Sequence, residues 1–482
     1  LNILSNSGTV EVAPPVSRDA SEGKMATRAQ NYAEVDLAHL IHPLTDHSHL
    51  AESGPLVLVR GEGCEVIAEN GQRLIDGSAG LWTVNLGHGR TDLIEAATRQ
   101  MSELAYAATF GGVSSPPAIE LAERIAGLAP EGLSGVFFVS GGSEANETAI
   151  KLARRHWIHN GLPSKSIVLT HDRGYHGLAG VTTTVTRLAP YHGDFGTPAP
   201  DVVEVPAPYP YRCDVGVPCN PETCLVCTGA AVEHRIEELG ADRVAALIVE
   251  PVFGSGGVIV PPTGYLRRLR EICDRYGVLL IVDEVITGFG RSGNWFAVER
   301  DQVVPDMITF AKGVSSGYVP LGGVIVSDAV WDELRDPGRE PGFLMHGFTH
   351  SGHPVACAVA LANIEAIERE DLLARVREAS AVLSGLVASL AALPEVGEVR
   401  QAGLMVGVEL VRDRETRERW PAAMGRGRKA ANEARERGLL TRGLLDDILC
   451  LAPPFTVSDE QMRRAVEILA ESIGATGGEF DG

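Results

Sequence analysis

The sequence predicts an α/β protein in which helices wrap a mostly parallel sheet and a smaller α+β domain follows. Three observations lead there. From about residue 90 to 330, short apolar runs alternate with helix-patterned segments. After about residue 350 the texture changes to long helices and then a short β-type region. Polar residues gather where the apolar runs end, at Ser140 to Ser143, His171 to Gly177, Glu250, Asp283 and Lys312. In open α/β sheets that edge is where ligands bind.

The elements follow in order. "TDLIEAATRQMSELAYAA" has helical spacing, and "LSGVFFVSGG" is an apolar strand ending in glycines. "SEANETAIKLARRHWIHNG" is a helix with an acidic first turn and a basic end, as its macrodipole favours. "SIVLTHD", "AALIVEP", "GVLLIVDEV" and "DMITFAKG" are four further buried-strand candidates, interleaved with helices such as "TGYLRRLREICDRYG". "PVACAVALANIEAIERE" and "LLARVREASAVLSGLVASLAAL" are long helices that precede the β-type "VGEVRQAGLMVGVELV". Another helix and strand follow near the end. No internal repeat or low-complexity tract interrupts the pattern.

A chain of 482 residues exceeds one simple core and implies two domains or three segments. The formal charge of −21 argues against nucleic acid and anionic membranes as partners. No apolar run reaches the roughly 18–20 residues that cross a bilayer. The first 30 residues lack the charged and apolar regions of a secretory signal. They read as a polar, partly disordered leader, with Met25 inside it, and residues 1–24 are left out of the fold reasoning. Eight cysteines without an export signal are expected as free thiols, which points to the cytoplasm.

Four groups carry the chemistry. In "VSGGSEANETAIKL", Gly142 and Ser143 stand where a helix begins, so backbone amides and helix dipole form a phosphate cradle. A plain strand-to-helix turn with a serine cap is the alternative. Asp283 ends the very apolar "LLIVD", where a desolvated carboxylate needs a cationic partner such as a protonated ring nitrogen, or else caps the next turn. "HDRGYHG" supplies Tyr175 and His176, an aromatic surface for a planar group, although a lone tyrosine more often simply packs. Lys312 sits where an apolar strand gives way to a loop of glycine and serine, a place suited to an amine that meets a bound electrophile. Lysine, carboxylate, phosphate cradle and aromatic lid together are what pyridoxal 5'-phosphate requires.

The ordered set "SGGSEANETAIKLAR", "GYHG", "IVEPV", "IVDEVITGFGRSG", "ITFAKGVSSGYVPLGG" and "HGFTHSGHPVACAVALA" resembles the class III aminotransferases. More narrowly it resembles the ω-amine:pyruvate transaminases, including putrescine- and β-alanine-type enzymes, from about residue 40 to 470. The resemblance implies fold type I of the pyridoxal-phosphate enzymes, with a mostly parallel seven-stranded sheet in the large domain, and a homodimer. It also implies a leader over 1–30 and an N-terminal segment over 31–85 that packs with the small domain. The large cofactor-binding domain would then span 86–345 and the small C-terminal domain 346–482.

Lys312 would bind the cofactor's aldehyde and shuttle the substrate proton. Asp283 would keep the pyridine nitrogen protonated, and Gly142 and Ser143 would bind phosphate, joined by Thr349 of the neighbouring subunit. Tyr175 would stack on one ring face, with His176 beside it, and Val285 would press on the other. Glu250 would balance charge nearby. Trp82 and Phe110 would line the substrate pocket. Arg442 would be a mobile guanidinium that binds a carboxylate and moves aside for amines without one, the alternative being a surface ion pair with Asp446 or Asp447. The partners implied are an amine donor and a keto acid acceptor, pyruvate. Phe253 stands where many relatives carry glutamine or another residue.

The same cofactor motifs serve decarboxylases and an aminomutase, and an aminotransferase dedicated to a biosynthetic aldehyde is a further alternative. Trp82 and Arg442 favour transamination. Intact Lys312 and Asp283 argue against a non-catalytic protein that merely keeps the fold.

Cys213, Cys219, Cys224 and Cys227 have the spacing C-x5-C-x4-C-x2-C. Four thiols can hold zinc tetrahedrally, but the spacing is irregular for common zinc modules. Structural or free thiols are the expectation, with no catalytic metal.

Overall fold

The computed structural model describes residues 32–193, 199–213, 219–338 and 342–477. The leader expected over 1–30 lies outside the described residues. The chain divides into two compact units. The first comprises residues 32–60 with 67–73. It contains the helices Tyr32–His39 and His47–Ser53, the second capped by Asp46, whose carboxylate accepts from the amides of Ser48 and His49 at 3.0 and 3.2 Å.

The second unit holds the remaining described residues. Its centre is a seven-stranded sheet: β1 (Leu133–Val139), β2 (Ile167–His171), β3 (Val202–Val205), β4 (Val244–Val249), β5 (Leu279–Asp283), β6 (Met307–Phe310) and β7 (Gly322–Ser327). The order is β1-β7-β6-β5-β4-β2-β3. The pairs from β6 to β3 are parallel, and β7 is antiparallel to both neighbours. Seven strands agree with the resemblance. The apolar runs alone give five, since glycines head β7 and β3 carries Glu204 and runs into Pro206.

Glycine is required at the head of β7. A Cβ on Gly323 would stand 2.4 Å from the Phe310 ring and 2.7 Å from the Phe137 carbonyl.

Every residue of β4, β5 and β6 is buried, as expected of a sheet covered on both faces. The two faces still separate by alternation. Leu247, Leu280, Ile308 and Ile325 pack with Leu269, Ile272 and Ile364. Ala246, Ile248, Ile281, Met307 and Val324 pack with Ala149, Ile150 and Ala153. Each fully buried leucine or isoleucine contributes about 2 kcal/mol of transfer free energy. Helix Tyr265–Tyr276 shows how the pattern works. Leu266, Leu269, Ile272 and Cys273 fall on its buried face, and Gly277 closes it at φ 59°.

The C-terminal part forms a four-stranded antiparallel sheet: β8 (Val396–Ala402), β9 (Met405–Leu410), β10 (Arg442–Leu444) and β11 (Ile448–Leu451), ordered β8-β9-β11-β10. Residues of helices Leu372–Val387, Arg426–Glu436 and Asp459–Gly477 share one apolar core with it. Ile75 and Asp76 pair in parallel with Leu439 and Leu440. No helix among the described residues is long and apolar enough to cross a membrane.

Candidate active site

The carboxyl ends of β4, β5 and β6 present Glu250, Asp283 and Lys312 side by side. Asp283, the last residue of β5, is buried, and each of its oxygens has a partner. One oxygen accepts from Asn146 Nδ2 at 2.7 Å and lies 2.8 Å from His176 Nδ1, and the other accepts from the Val285 amide at 3.0 Å. Asn146 is locked in turn. It donates to the His176 carbonyl at 2.9 Å and accepts from Thr309 Oγ1 at 2.7 Å. His176 donates its amide to Thr186 Oγ1 at 2.8 Å, and its buried Nε2 has no partner. His176 therefore orients the carboxylate.

Lys312 follows β6 in a short 3-10 turn, at φ 44°. That left-handed conformation costs a non-glycine residue about 1–2 kcal/mol, so neighbours must enforce it. Asn363 Nδ2 donates to the carbonyls of Gly313 and Val314, both at 3.0 Å, and its Oδ1 accepts from Ser316 at 2.6 Å. A Cβ on Gly313 would lie 2.3 Å from Asn85 Nδ2. Asn85 is fixed by donating to the Phe289 carbonyl at 3.2 Å and accepting from the fully buried Arg291, which also donates to the Pro453 carbonyl at 2.6 Å. Burial pushes the Lys312 amine down to about 8; Asp283 and Glu250 oppose that shift and Arg442 adds to it.

Glu250 accepts from the amides of Tyr175 and Gly254, each at 2.9 Å. Burial pushes its carboxyl up to about 7, with His176 opposing and Asp283 reinforcing. The Tyr175 ring lies edge-on to Tyr191 at 5.7 Å, and burial raises its hydroxyl to about 12. Phe253 is in the core, edge-on to His171 at 5.5 Å.

Gly142 opens helix Gly142–His159, and its first-turn amides have no carbonyl one turn back. The cap is Gly141, so the serine-cap alternative is not realised. Ser143 Oγ instead accepts from the Leu178 amide at 3.3 Å. A Cβ on Gly142 would stand 2.9 Å from Val285, which places that valine against the cradle, while a Cβ on Gly141 would meet nothing within 4 Å.

Trp82 is buried, and two cations meet its ring: Lys312 Nζ at 5.5 Å and the Arg442 guanidinium at 4.9 Å. The ion pair considered for Arg442 does not form. Asp446 is taken by Arg173 and Arg419, and Asp447 accepts from the Gly427 amide at 2.8 Å. Phe110 and Thr349 lie in an exposed group of their own. The Thr349 carbonyl accepts from Tyr106 at 2.9 Å, and a Cβ on Gly347 would touch the Phe110 ring at 2.7 Å.

Nine of the residues named from the sequence thus share one neighbourhood: Gly142, Ser143, Tyr175, His176, Glu250, Asp283, Val285, Lys312 and Trp82, with Arg442 beside the last. Sequence reading missed Asn146, Asn363, Asn85, Thr309 and Arg291. A signal existed for Asn146 and Asn363: each is a polar residue on the apolar face of a helix, where a buried amide needs partners.

The set fits pyridoxal phosphate on its donor chemistry. A helix terminus suits the phosphate, Asp283 an N–H of the ring, and a depressed lysine amine the aldehyde.

The class III aminotransferase family model matches residues 48–473, and the chain belongs to that family, whose cofactor is pyridoxal phosphate. It is 39% identical to the putrescine–pyruvate aminotransferase of Pseudomonas aeruginosa, over 91% of this chain and 94% of that one. It is 38% identical to the diaminobutyrate–2-oxoglutarate transaminase of Halomonas elongata, over 89% and 92%. Among solved structures, a thermostable (S)-enantioselective omega-transaminase from Thermomicrobium roseum is 44% identical, with a TM-score of 0.89 and coverage of 93% and 99%. The omega transaminase of Pseudomonas jessenii, in complex with PMP, is 36% identical, with a TM-score of 0.89 and coverage of 92% and 98%. The fold is type I of the pyridoxal-phosphate enzymes, and the protein is an aminotransferase.

Proposed function

We propose that this aminotransferase takes its amino group from a primary amine or ω-amino acid and delivers it to pyruvate, alternating donor and acceptor in one pocket. The observation that carries the reading is the Trp82 ring with Lys312 on one side of the recognition problem and Arg442 on the other. An amine that handles a proton and a guanidinium that grips a carboxylate meet at one aromatic wall.

Bound pyridoxal phosphate supplies a carbonyl carbon for the amine and a ring that accepts electron density when a proton leaves. The protein supplies the rest. Lys312 Nζ, its pKa lowered by burial, takes the proton from the amine-bearing carbon and returns it. Asp283, held by Asn146 and His176, keeps a proton on the ring nitrogen. The first-turn amides of Gly142 and Ser143 bind phosphate, and Tyr175 and Val285 hold the ring faces.

Thr349 serves a second copy of the chain. The exposed Phe343, Met345, Phe110 and Val113 near its segment (70%, 85%, 52% and 57% accessible) support a homodimer. Sedimentation of a monomer at micromolar concentration would sink that assignment. The unbridged cysteines support a cytoplasmic setting, and secretion of the native protein into the medium would contradict it.

The test of function is Arg442→Ala. Loss of a bidentate carboxylate contact worth about 2–3 kcal/mol raises the KM for pyruvate about 30- to 150-fold. The half-reaction with a primary amine lacking a carboxylate stays within about two-fold. Equal losses in both half-reactions, or carbon dioxide release in place of alanine formation, would overturn the reading.

A further inference from the structure

The four cysteines of the loop after β3 have no role in transamination, yet the fold gathers them. The sulfurs of Cys213, Cys219, Cys224 and Cys227 all lie within 4.8 Å of one another. Cys213 and Cys224 are 3.3 Å apart, and Cys219 and Cys227 3.5 Å. Both separations are far too long for a disulfide, whose sulfurs stand about 2.05 Å apart. They suit a single ion: with Zn–S bonds of about 2.3 Å, the edges of a ZnS4 tetrahedron measure roughly 3.8 Å. A cluster of several irons would interpose more atoms and hold its ligand sulfurs farther apart.

The local backbone agrees. Cys224 and Cys227 form a C-x2-C turn in which the Cys227 amide points at Cys224 Sγ, 3.5 Å away, and the Thr228 amide returns to the Cys224 carbonyl at 2.9 Å. Three of the four cysteines are buried and Cys219 is half-buried. Among the described residues, Val226 packs with the four thiols.

We propose that Cys213, Cys219, Cys224 and Cys227 form a structural zinc site. Zinc binding converts four thiols to thiolates and releases their protons to solvent, with no change in oxidation state. Soft thiolate ligands with no oxygen or imidazole among them select zinc over magnesium or calcium, and four protein ligands close the coordination shell, leaving no position for substrate.

The ion would fasten a connector. Just before Cys213, Arg212 donates to Glu409 of β9 at 2.7 Å and Tyr209 bonds the same carboxylate. Just after Cys227, Gly229, at φ 79°, lies against Leu269 and Ile272 of helix Tyr265–Tyr276. The site therefore joins a strut of the C-terminal sheet to a helix of the large sheet. The irregular spacing that argues against common zinc modules does not keep the sulfurs apart.

The test uses the full chain, purified without chelator and without a metal-affinity tag. Elemental analysis is expected to find about one zinc per chain. Thiol titration of the native protein should show the four cysteines protected until a chelator strips the metal. Cobalt substitution should give thiolate-to-metal charge-transfer bands and the visible bands of a tetrahedral ion. Cys224→Ser and Cys227→Ser should lose the metal and melt at lower temperature. If those variants fail to fold, the metal content and thiol count of the unmodified protein decide the matter. Substoichiometric zinc with freely titrating thiols, disulfides found by mass spectrometry, or iron in place of zinc would overturn the proposal.

Discussion

The depressed Lys312 amine makes a quantitative prediction about cofactor capture. Only the neutral amine attacks an aldehyde. At about pH 7 a lysine with the ordinary pKa of 10.5 is neutral about 0.03% of the time, whereas one at about 8 is neutral about 9% of the time, a roughly 300-fold gain in reactive amine. The cause is desolvation at a strand end, enforced by the Asn363 and Asn85 contacts that hold the turn. The perturbation is pH applied to protein stripped of cofactor. The assay is the rate of forming a borohydride-trapped adduct, located at Lys312 by mass spectrometry, with a small acylating reagent as a second probe of the amine. The rate should rise about ten-fold from about pH 7 to 9 and then level off. Two variants set the sign of the electrostatics. Glu250→Gln removes a charge that raises the lysine pKa and moves the midpoint down, whereas Arg442→Leu removes one that lowers it and moves the midpoint up. A rate that keeps climbing in proportion to hydroxide between about pH 8 and 10 would refute the reasoning, because it would mean a solvated amine.

Asn363→Ala leaves the Gly313 and Val314 carbonyls and the Ser316 hydroxyl without their partner; it should cost about 2–4 kcal/mol in urea unfolding and slow the Lys312 reaction with the acylating probe. For Glu250 the folded pKa, about 7, lies above the ordinary 4.5, so the folded protein keeps a proton that the unfolded chain has released. That contribution to stability is full below about pH 4.5 and is lost as pH rises through about 7; the gap between wild type and Glu250→Gln in the cofactor-free protein should therefore change by roughly 2–3 kcal/mol between about pH 5 and 7.5, and a pH-independent gap would contradict the assignment.

Much of the site is legible because its residues end patterns that are themselves local. Asp283 and Lys312 each close a run of apolar residues, and period and punctuation mark both the strand and its ligand-facing tip. Gly142 and Ser143 read the same way, at a strand-to-helix junction. The apolar runs do not reveal β3 or β7. Val202–Val205 is short and flanked by prolines and acidic residues, and the glycines of β7 look like loop until the Phe310 ring shows why no side chain fits. Arg442 reads from its motif as a carboxylate ligand with a surface ion pair as the alternative, and the structure shows Asp446 paired with Arg173 instead.

By itself the sequence determined the α/β class, the seven strands through its family motifs, and the position of Asp283 and Lys312 at strand ends, because strand ends and helix starts are written in neighbouring residues. Tertiary structure alone decided what holds those groups in place. Asn146 reaches Asp283 across 137 positions and Asn363 reaches Gly313 across 50, and four irregularly spaced cysteines close to within 4.8 Å. Such contacts depend on how the chain returns to itself, and a buried amide or thiol finds its partner only after the sheet and helices have formed.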